Sequence, residues 1–245
     1  MEKVAAMILA GGKGSRMNLK DINKVVLIIN HKPLILRTIE TLEKAGIKEI
    51  IAVVGFAKES VIKILPEDIA VAVQSKQLGT GDATKVGLKK VTDGINDVIV
   101  VYGDDSFLYT PEMFEKLVKV HADSNYVMTF ATVLLENPTG YGRIIRNDRG
   151  EIYKIVEELN ATEEERKVKE VNTGCYIFNK KLLVENIGKI EMNKVKGEFY
   201  LTDILEIFVS KKFPIGSISI PAANWRGVNT PEEAIIAEEV LKEHE

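Results

Sequence analysis

Cysteine is almost missing from this chain of 245 residues, where Cys175 stands alone. A single thiol closes no internal disulfide, so a reducing compartment is the natural expectation. Histidine is nearly as scarce: His31, His121 and His244 lie far apart, and no Cys/His cluster has the spacing of a zinc site. An excess of positive charge is lacking too. Lysine and arginine number 33 against 36 aspartates and glutamates, a formal net charge of −3. That balance argues against a nucleic-acid partner, whose phosphate backbone calls for a basic footprint, but leaves room for one nucleotide held by a few local cations. No apolar run reaches the roughly 18 residues of a membrane-spanning helix. The apolar stretch after Lys3 is at the short limit for a signal peptide and runs straight into Gly11–Gly14 and Arg16, so it reads as a buried first strand. The expectation is a soluble, cytoplasmic protein without a membrane partner. Repeats and low-complexity segments are absent, and the sequence leaves the oligomeric state open.

What is present is an ordinary globular composition, 45% hydrophobic and 28% charged. Short apolar runs alternate with amphipathic stretches, the pattern of parallel strands joined by crossover helices. Strands are expected at 4–9, 49–54, 70–74 and 97–102, with a strand-like 25–29, and helices at 33–45, 60–65 and 80–91. Thr110-Pro111-Glu112 and Thr230-Pro231-Glu232 each open a helix, with a hydroxyl cap, a proline at the first position and an acid facing the dipole. Between about 126 and 220 the pattern changes to strand-like segments among turns (126–134, 142–145, 171–178), with Thr162 and Glu165 spaced as a capping box. The reading is one α/β domain: 1–125 mainly nucleotide-binding, 126–220 an inserted mixed-sheet lobe, and 221–245 a closing segment with a final helix.

The leading functional signal is Leu9-Ala10-Gly11-Gly12-Lys13-Gly14-Ser15-Arg16-Met17, placed directly after the first strand. Open α/β sheets bind ligands beyond the carboxyl ends of their strands. Glycines there let the backbone approach phosphates, with Lys13 and Arg16 to meet the charge. The run is neither a P-loop nor a dinucleotide fingerprint. By itself it could also be a flexible loop carrying two solvated cations.

This loop resembles the signature of sugar-phosphate nucleotidyltransferases. Gln77–Gly81, Tyr102-Gly103-Asp104, Asn137–Ile144, Ile155-Val156-Glu157, Val171–Gly174, Gly197–Asp203 and Gly227-Val228-Asn229 follow in that family's order. Together they are similar to the N-terminal domain of bacterial N-acetylglucosamine-1-phosphate uridylyltransferases, over nearly all of the chain. The resemblance implies a Rossmann-like, mostly parallel open sheet flanked by helices, with a sugar-binding lobe. It implies transfer of a uridylyl group from UTP to N-acetylglucosamine 1-phosphate, giving UDP-N-acetylglucosamine and pyrophosphate. Lys13, Arg16 and Lys24 would be catalytic; Leu9, Ala10, Gly11, Gly12, Gln74, Gly79 and Thr80 would hold the nucleotide. Gly140, Glu157, Asn172, Tyr200 and Thr202 would hold the sugar phosphate. Asp104 and Asn229 would bind Mg²⁺, with Mn²⁺ or Co²⁺ also compatible with oxygen ligands. A relative acting on another sugar, such as glucose 1-phosphate, or on another nucleotide stays open, as does a non-catalytic sugar-nucleotide sensor.

The chain departs from the family pattern at four places. Asn23 stands where proline usually precedes the lysine, which is expected to loosen the backbone around Lys24. Asp82 replaces a histidine after Gly79-Thr80-Gly81, Asp105-Ser106 replaces an apolar pair, and Leu159 replaces a basic residue two positions beyond Glu157. No hexapeptide repeats of an acetyltransferase β-helix are seen, so the resemblance supports nucleotidyl transfer only. Cys175 is expected to be a strand residue and the histidines structural or solvent-facing.

Overall fold

A computed structural model describes residues 1–14, 17 and 19–243, with Glu243 described for its backbone only. The strands in chain order are β1 (Val4–Ala10), β2 (Ile28–Ile29), β3 (Lys32–Pro33), β4 (Glu49–Val54), β5 (Ala70–Val73) and β6 (Asp97–Tyr102). They continue with β7 (Met128–Leu134), β8 (Arg143–Arg146), β9 (Ile152–Val156), β10 (Glu170–Asn179) and β11 (Ile215–Ser219). The helices are α1 (Leu34–Lys44), α2 (Lys58–Ile62), α3 (Thr80–Leu88), α4 (Pro111–Asp123), α5 (Glu163–Arg166), α6 (Lys180–Ile187), α7 (Ile204–Ser210) and α8 (Pro231–Glu243).

Seven strands form the main path of one sheet in the order β11-β7-β10-β6-β1-β4-β5, and the β8–β9 hairpin branches from β10. Pairing is parallel from β6 through β1 and β4 to β5, and β10 alone on this path runs antiparallel to both its neighbours. Both faces of the sheet are covered, which is why β1 is apolar throughout rather than alternating. Its side chains divide by period two. Val4, Ala6, Ile8 and Ala10 pack on the face under α1 and α4, with Ile35, Ile39, Phe114 and Leu117. Ala5, Met7 and Leu9 pack on the other face, with Leu183, Ile204 and Phe208 of α6 and α7. The sheet spans both parts of the chain distinguished by sequence: β7, β10 and β11 extend the sheet begun by β1, β4, β5 and β6, while the β8–β9 hairpin branches off its main path.

Helix starts follow the expected chemistry. Thr110 accepts from the Met113 amide with Pro111 in the first turn, and Thr162 and Glu165 form a reciprocal capping box. Two expectations are corrected. Residues 25–29 do not form one strand: Lys24–Val26 is a 3-10 turn and only Ile28–Ile29 pairs, with β3. The cause is the Asn23 side chain, which accepts from the Val25 amide and caps the turn. The helix expected at 60–65 lies at Lys58–Ile62 because Ala57, in a left-handed conformation with φ 47°, starts it earlier. No helix among the described residues is long and apolar enough to cross a membrane.

Candidate active site

The loops leaving the carboxyl ends of β1, β5 and β6 line one cleft. Its larger chamber, about 760 Å³, is lined by Leu9, Gly11, Gly12, Lys13, Lys24, Gln74, Gly79, Thr80, Asp104, Tyr200 and Asn229. A smaller chamber of about 280 Å³ shares Tyr102, Asp104 and Asn229 with it and adds Gly140, Glu157 and Asn172. Lys13 therefore stands in the same chamber as Asp104 and Asn229. Two of the residues singled out from sequence, Arg16 and His244, lie outside the described residues.

At the junction of the chambers the Lys24 ammonium contacts Asp104 Oδ2 and donates to Asn229 Oδ1 at 2.9 Å. Lys24 is only 8% exposed, so its charge needs these oxygens. The Val228 amide donates to the Asp104 carbonyl at 3.2 Å, tying the two segments together at backbone level. Behind them Val228 packs with Phe107, Leu108, Ala237 and Leu241, so α8 holds Asn229 against the end of β6. One carboxylate and one amide oxygen thus converge on a cation. That donor set suits a hard divalent ion that takes its remaining ligands from water and phosphate. Among the described residues no group of three or more His, Cys, Asp or Glu could cage an ion unaided.

The expected loosening at Asn23 is overturned. Asn23 is 1% exposed. Its Nδ2 donates to the carbonyls of Ala10 at 2.9 Å, Gly12 at 3.2 Å and Phe56 at 2.9 Å. Its own amide donates to Ser60 Oγ at 3.0 Å, a bond that proline could not make. One side chain thereby joins the glycine loop, the β4–α2 loop and the turn that carries Lys24. Ala10 itself is buried, with its carbonyl committed to Asn23.

Gln74 follows β5 and is buried. Its Nε2 donates to Asp82 Oδ2 at 2.8 Å and to the Gly79 carbonyl at 3.1 Å. Gly79 has φ 98°, and a Cβ there would lie 2.5 Å from the Phe199 carbonyl oxygen, so both conformation and packing call for glycine. The Phe199 amide donates to the Leu78 carbonyl at 2.7 Å and the Leu201 amide to Thr80 Oγ1 at 2.9 Å. The Thr80 hydroxyl thus docks the segment 199–201, which brings Tyr200 to the cleft wall.

In the smaller chamber, burial pushes the Glu157 carboxyl up, aided by the nearby Asp203 and opposed by a hydrogen bond with Thr202. Thr202 is buried and lies behind Glu157 rather than on either chamber wall. Burial, with Glu206 beside it, raises the Asp203 carboxyl to about 6. Asn172 is aimed by an irregularity in β10: pairing with β7 shifts register between Asn172 and Tyr176, and Gly174 there has φ 75°. Asn172 Nδ2 donates to Tyr176 Oη at 2.6 Å. The Gly140 amide is already committed, donating to Glu158 Oε2 at 3.0 Å. Buried Arg143 donates to the same oxygen at 2.6 Å.

Sequence reasoning missed the roles of Asn23, Asp82, Arg143 and Glu158. Asn23 and Asp82 were visible as departures from the family pattern, and Arg143 as a charge inside an apolar strand. Cys175 is buried in β10, with its thiol pushed up by burial. His121 is a buried structural residue, its Nδ1 2.9 Å from Thr129 Oγ1 and its Nε2 3.6 Å from Asp97. It lines a separate cavity of about 910 Å³ at the opposite end of β6, where none of the sequence-identified site residues lies.

The chain is similar to known proteins over nearly all of its length. The chain is 42% identical over 214 residues to the bifunctional protein GlmU of Carboxydothermus hydrogenoformans, covering 87% of this chain and 47% of that protein. It is 38% identical to the bifunctional protein GlmU of Clostridium novyi, covering 97% of this chain and 52% of the relative. It therefore spans about half the length of these relatives. A solved structure from Bacillus anthracis, described as a glucose-1-phosphate thymidylyltransferase, superposes with a TM-score of 0.81 at 21% identity, covering 97% of this chain and 94% of that one. At that identity the likeness is one of fold. The nucleotidyl transferase family profile matches residues 5–243, from the first strand through the closing helix, and the chain belongs to this family.

Proposed function

We propose that this chain transfers the uridylyl group of UTP to N-acetylglucosamine 1-phosphate, giving UDP-N-acetylglucosamine and pyrophosphate. One observation carries the reading: a single cleft faces the Lys13 and Lys24 cations with the Asp104–Asn229 oxygen pair. Both substrates are polyanions, and in-line attack by the sugar phosphate on the α-phosphorus needs positioning and charge neutralisation, not an enzyme nucleophile. Lys13, with Arg16 from the same loop, would hold the triphosphate and stabilise the departing pyrophosphate. Lys24 would lie against the reacting phosphates and Gln74 against the base. Glu157 and Asn172 would accept and orient the sugar in the smaller chamber, with Thr202 steadying Glu157 and Tyr200 reaching the sugar from the wall of the larger one. Asp104 and Asn229 would hold Mg²⁺, which when bound lowers the charge on the α-phosphate oxygens.

The N-acetylglucosamine assignment follows the overall likeness to the GlmU proteins and is finer than the reaction type. The deciding experiment is pyrophosphate release measured across a grid of nucleoside triphosphates and sugar 1-phosphates with Mg²⁺. UTP with N-acetylglucosamine 1-phosphate should give the highest kcat/KM. A different winning pair would reassign the substrates, and no turnover in any cell would refute catalysis.

A further inference from the structure

We propose that Asp82 selects the nucleobase, by holding the Gln74 side-chain amide in one of its two orientations. This rests on the nucleotidyl-transfer reading above and deepens it. An amide can turn either its oxygen or its nitrogen to a neighbour, and which it turns depends on what that neighbour offers. Gln74 meets two groups that have no proton to give: Asp82 Oδ2 at 2.8 Å and the Gly79 carbonyl at 3.1 Å. Both hydrogen bonds require Nε2, so the nitrogen faces them. Gln74 is 4% exposed, which leaves the side chain little room to seek another arrangement. The amide oxygen is then turned to the opposite side, where a Cβ added to Gly11 would stand 3.1 Å from it. Gly11 and Gln74 both line the larger chamber, so the edge offered to a base is an acceptor.

An acceptor selects a donor. Uracil and thymine present N3–H at the middle of their pairing edge, whereas cytosine presents a bare N3 whose lone pair would oppose that of Gln74. A flipped amide would reverse this preference, but it would set the Gln74 oxygen against a carboxylate and a carbonyl, leaving buried acceptors facing one another. Asp82 occupies the first turn of α3, which begins at Thr80, so the carboxylate is carried by the same helix start that forms the cleft wall. The histidine expected here from the family pattern could donate or accept and would not impose one orientation. Asp82 is thus a positioning residue: it touches Gln74, and Gln74 touches the base.

The test compares Asp82→Asn, which is nearly isosteric but can donate as well as accept, and Asp82→Ala with the wild type. kcat/KM is measured for UTP, dTTP and CTP by pyrophosphate release with N-acetylglucosamine 1-phosphate, and nucleotide affinity by calorimetry. In Asp82→Asn the UTP-to-CTP ratio should fall about tenfold, the size of one buried hydrogen bond exchanged for a mismatch. The dTTP-to-UTP ratio should stay unchanged, because both bases carry the same N3–H. An unaltered UTP-to-CTP ratio in an active Asp82→Asn enzyme overturns the proposal, as does a wild type that does not prefer UTP to CTP. Should Asp82→Ala fail to fold, Asp82→Asn decides alone. Should no protein turn over any nucleotide, the nucleotidyl-transfer reading fails, and the calorimetric UTP-to-CTP ratio still judges Asp82.

Discussion

The two chambers of the cleft meet at Asp104 and Asn229 but are built on opposite electrostatic plans. The larger chamber, proposed for the nucleotide, has Lys13 at its wall and a buried Lys24 at its foot, and its glycine loop is held by one neutral side chain, Asn23, bonded to three carbonyls. The smaller chamber, proposed for the sugar, has Asp105, Glu157 and Glu233 on its wall. Glu157 lies near Asp203, both with raised titration, and Glu158 is tied to Arg143 and the Gly140 amide. Cations suit a triphosphate, which is multiply anionic at neutral pH. Carboxylates suit hydroxyl and amide protons, which need acceptors. In the proposed reaction the shared oxygen pair would stand where the two phosphate groups meet.

This contrast can be broken at its boundary first. Asp104→Asn should lower kcat about 10³-fold or more, by weakening divalent-ion placement. Normal turnover at limiting Mg²⁺ would take Asp104 out of that role. Lys24→Ala should lower kcat by about 10²-fold with a smaller change in the sugar-phosphate KM. An effect confined to the sugar KM would move Lys24 to the other chamber. Asn23→Ala leaves the Ala10 and Phe56 carbonyls without their donor, and should cost about 2–3 kcal/mol of stability while raising the KM for UTP. Unchanged melting with unchanged KM would show that the loop is held by other means. Glu157→Gln should raise the sugar-phosphate KM about tenfold and leave the UTP KM nearly unaltered, since one charged hydrogen-bond acceptor is replaced.

The smallest expected effect concerns pH. Asp203 has its carboxyl raised to about 6 in the folded protein. Between its ordinary range and that value the folded state binds more protons than the unfolded one, so stability falls as pH rises through this window. The penalty is fully present above about pH 6, and Asp203→Asn should therefore gain more melting temperature over wild type at about pH 7 than at about pH 4.5. An equal gain at both would refute the titration.

Much of the fold was legible because its signals are local. Strands β4 and β6 are short β-branched runs, and the helix starts at Thr110 and Thr162 carry side chains that bond within three residues. Grouping the site residues came from motif order, and the carboxyl ends of adjacent parallel strands supply the physical reason they meet. What stayed hidden depends on distant partners. Residues 25–29 looked like a strand because β-branching was read without the Asn23 cap. Asn23 itself reaches Phe56 across 33 positions, and Arg143 finds Glu158 across 15. The backbone around Lys24 was expected to loosen at Asn23 because proline is the stiffer residue there, but an amide can bond three separate carbonyls that only the fold brings together.

The central claim is that the glycine-loop cation and the oxygen-bound divalent ion hold one triphosphate between them. A double-mutant cycle on UTP affinity in Mg²⁺, using Lys13→Ala, Asp104→Ala and the pair, tests it directly. If both act on the same phosphates, the two losses should be non-additive by about 1 kcal/mol or more, and the coupling should vanish when Mg²⁺ is removed. Losses that add within about 0.3 kcal/mol, with or without Mg²⁺, would contradict it.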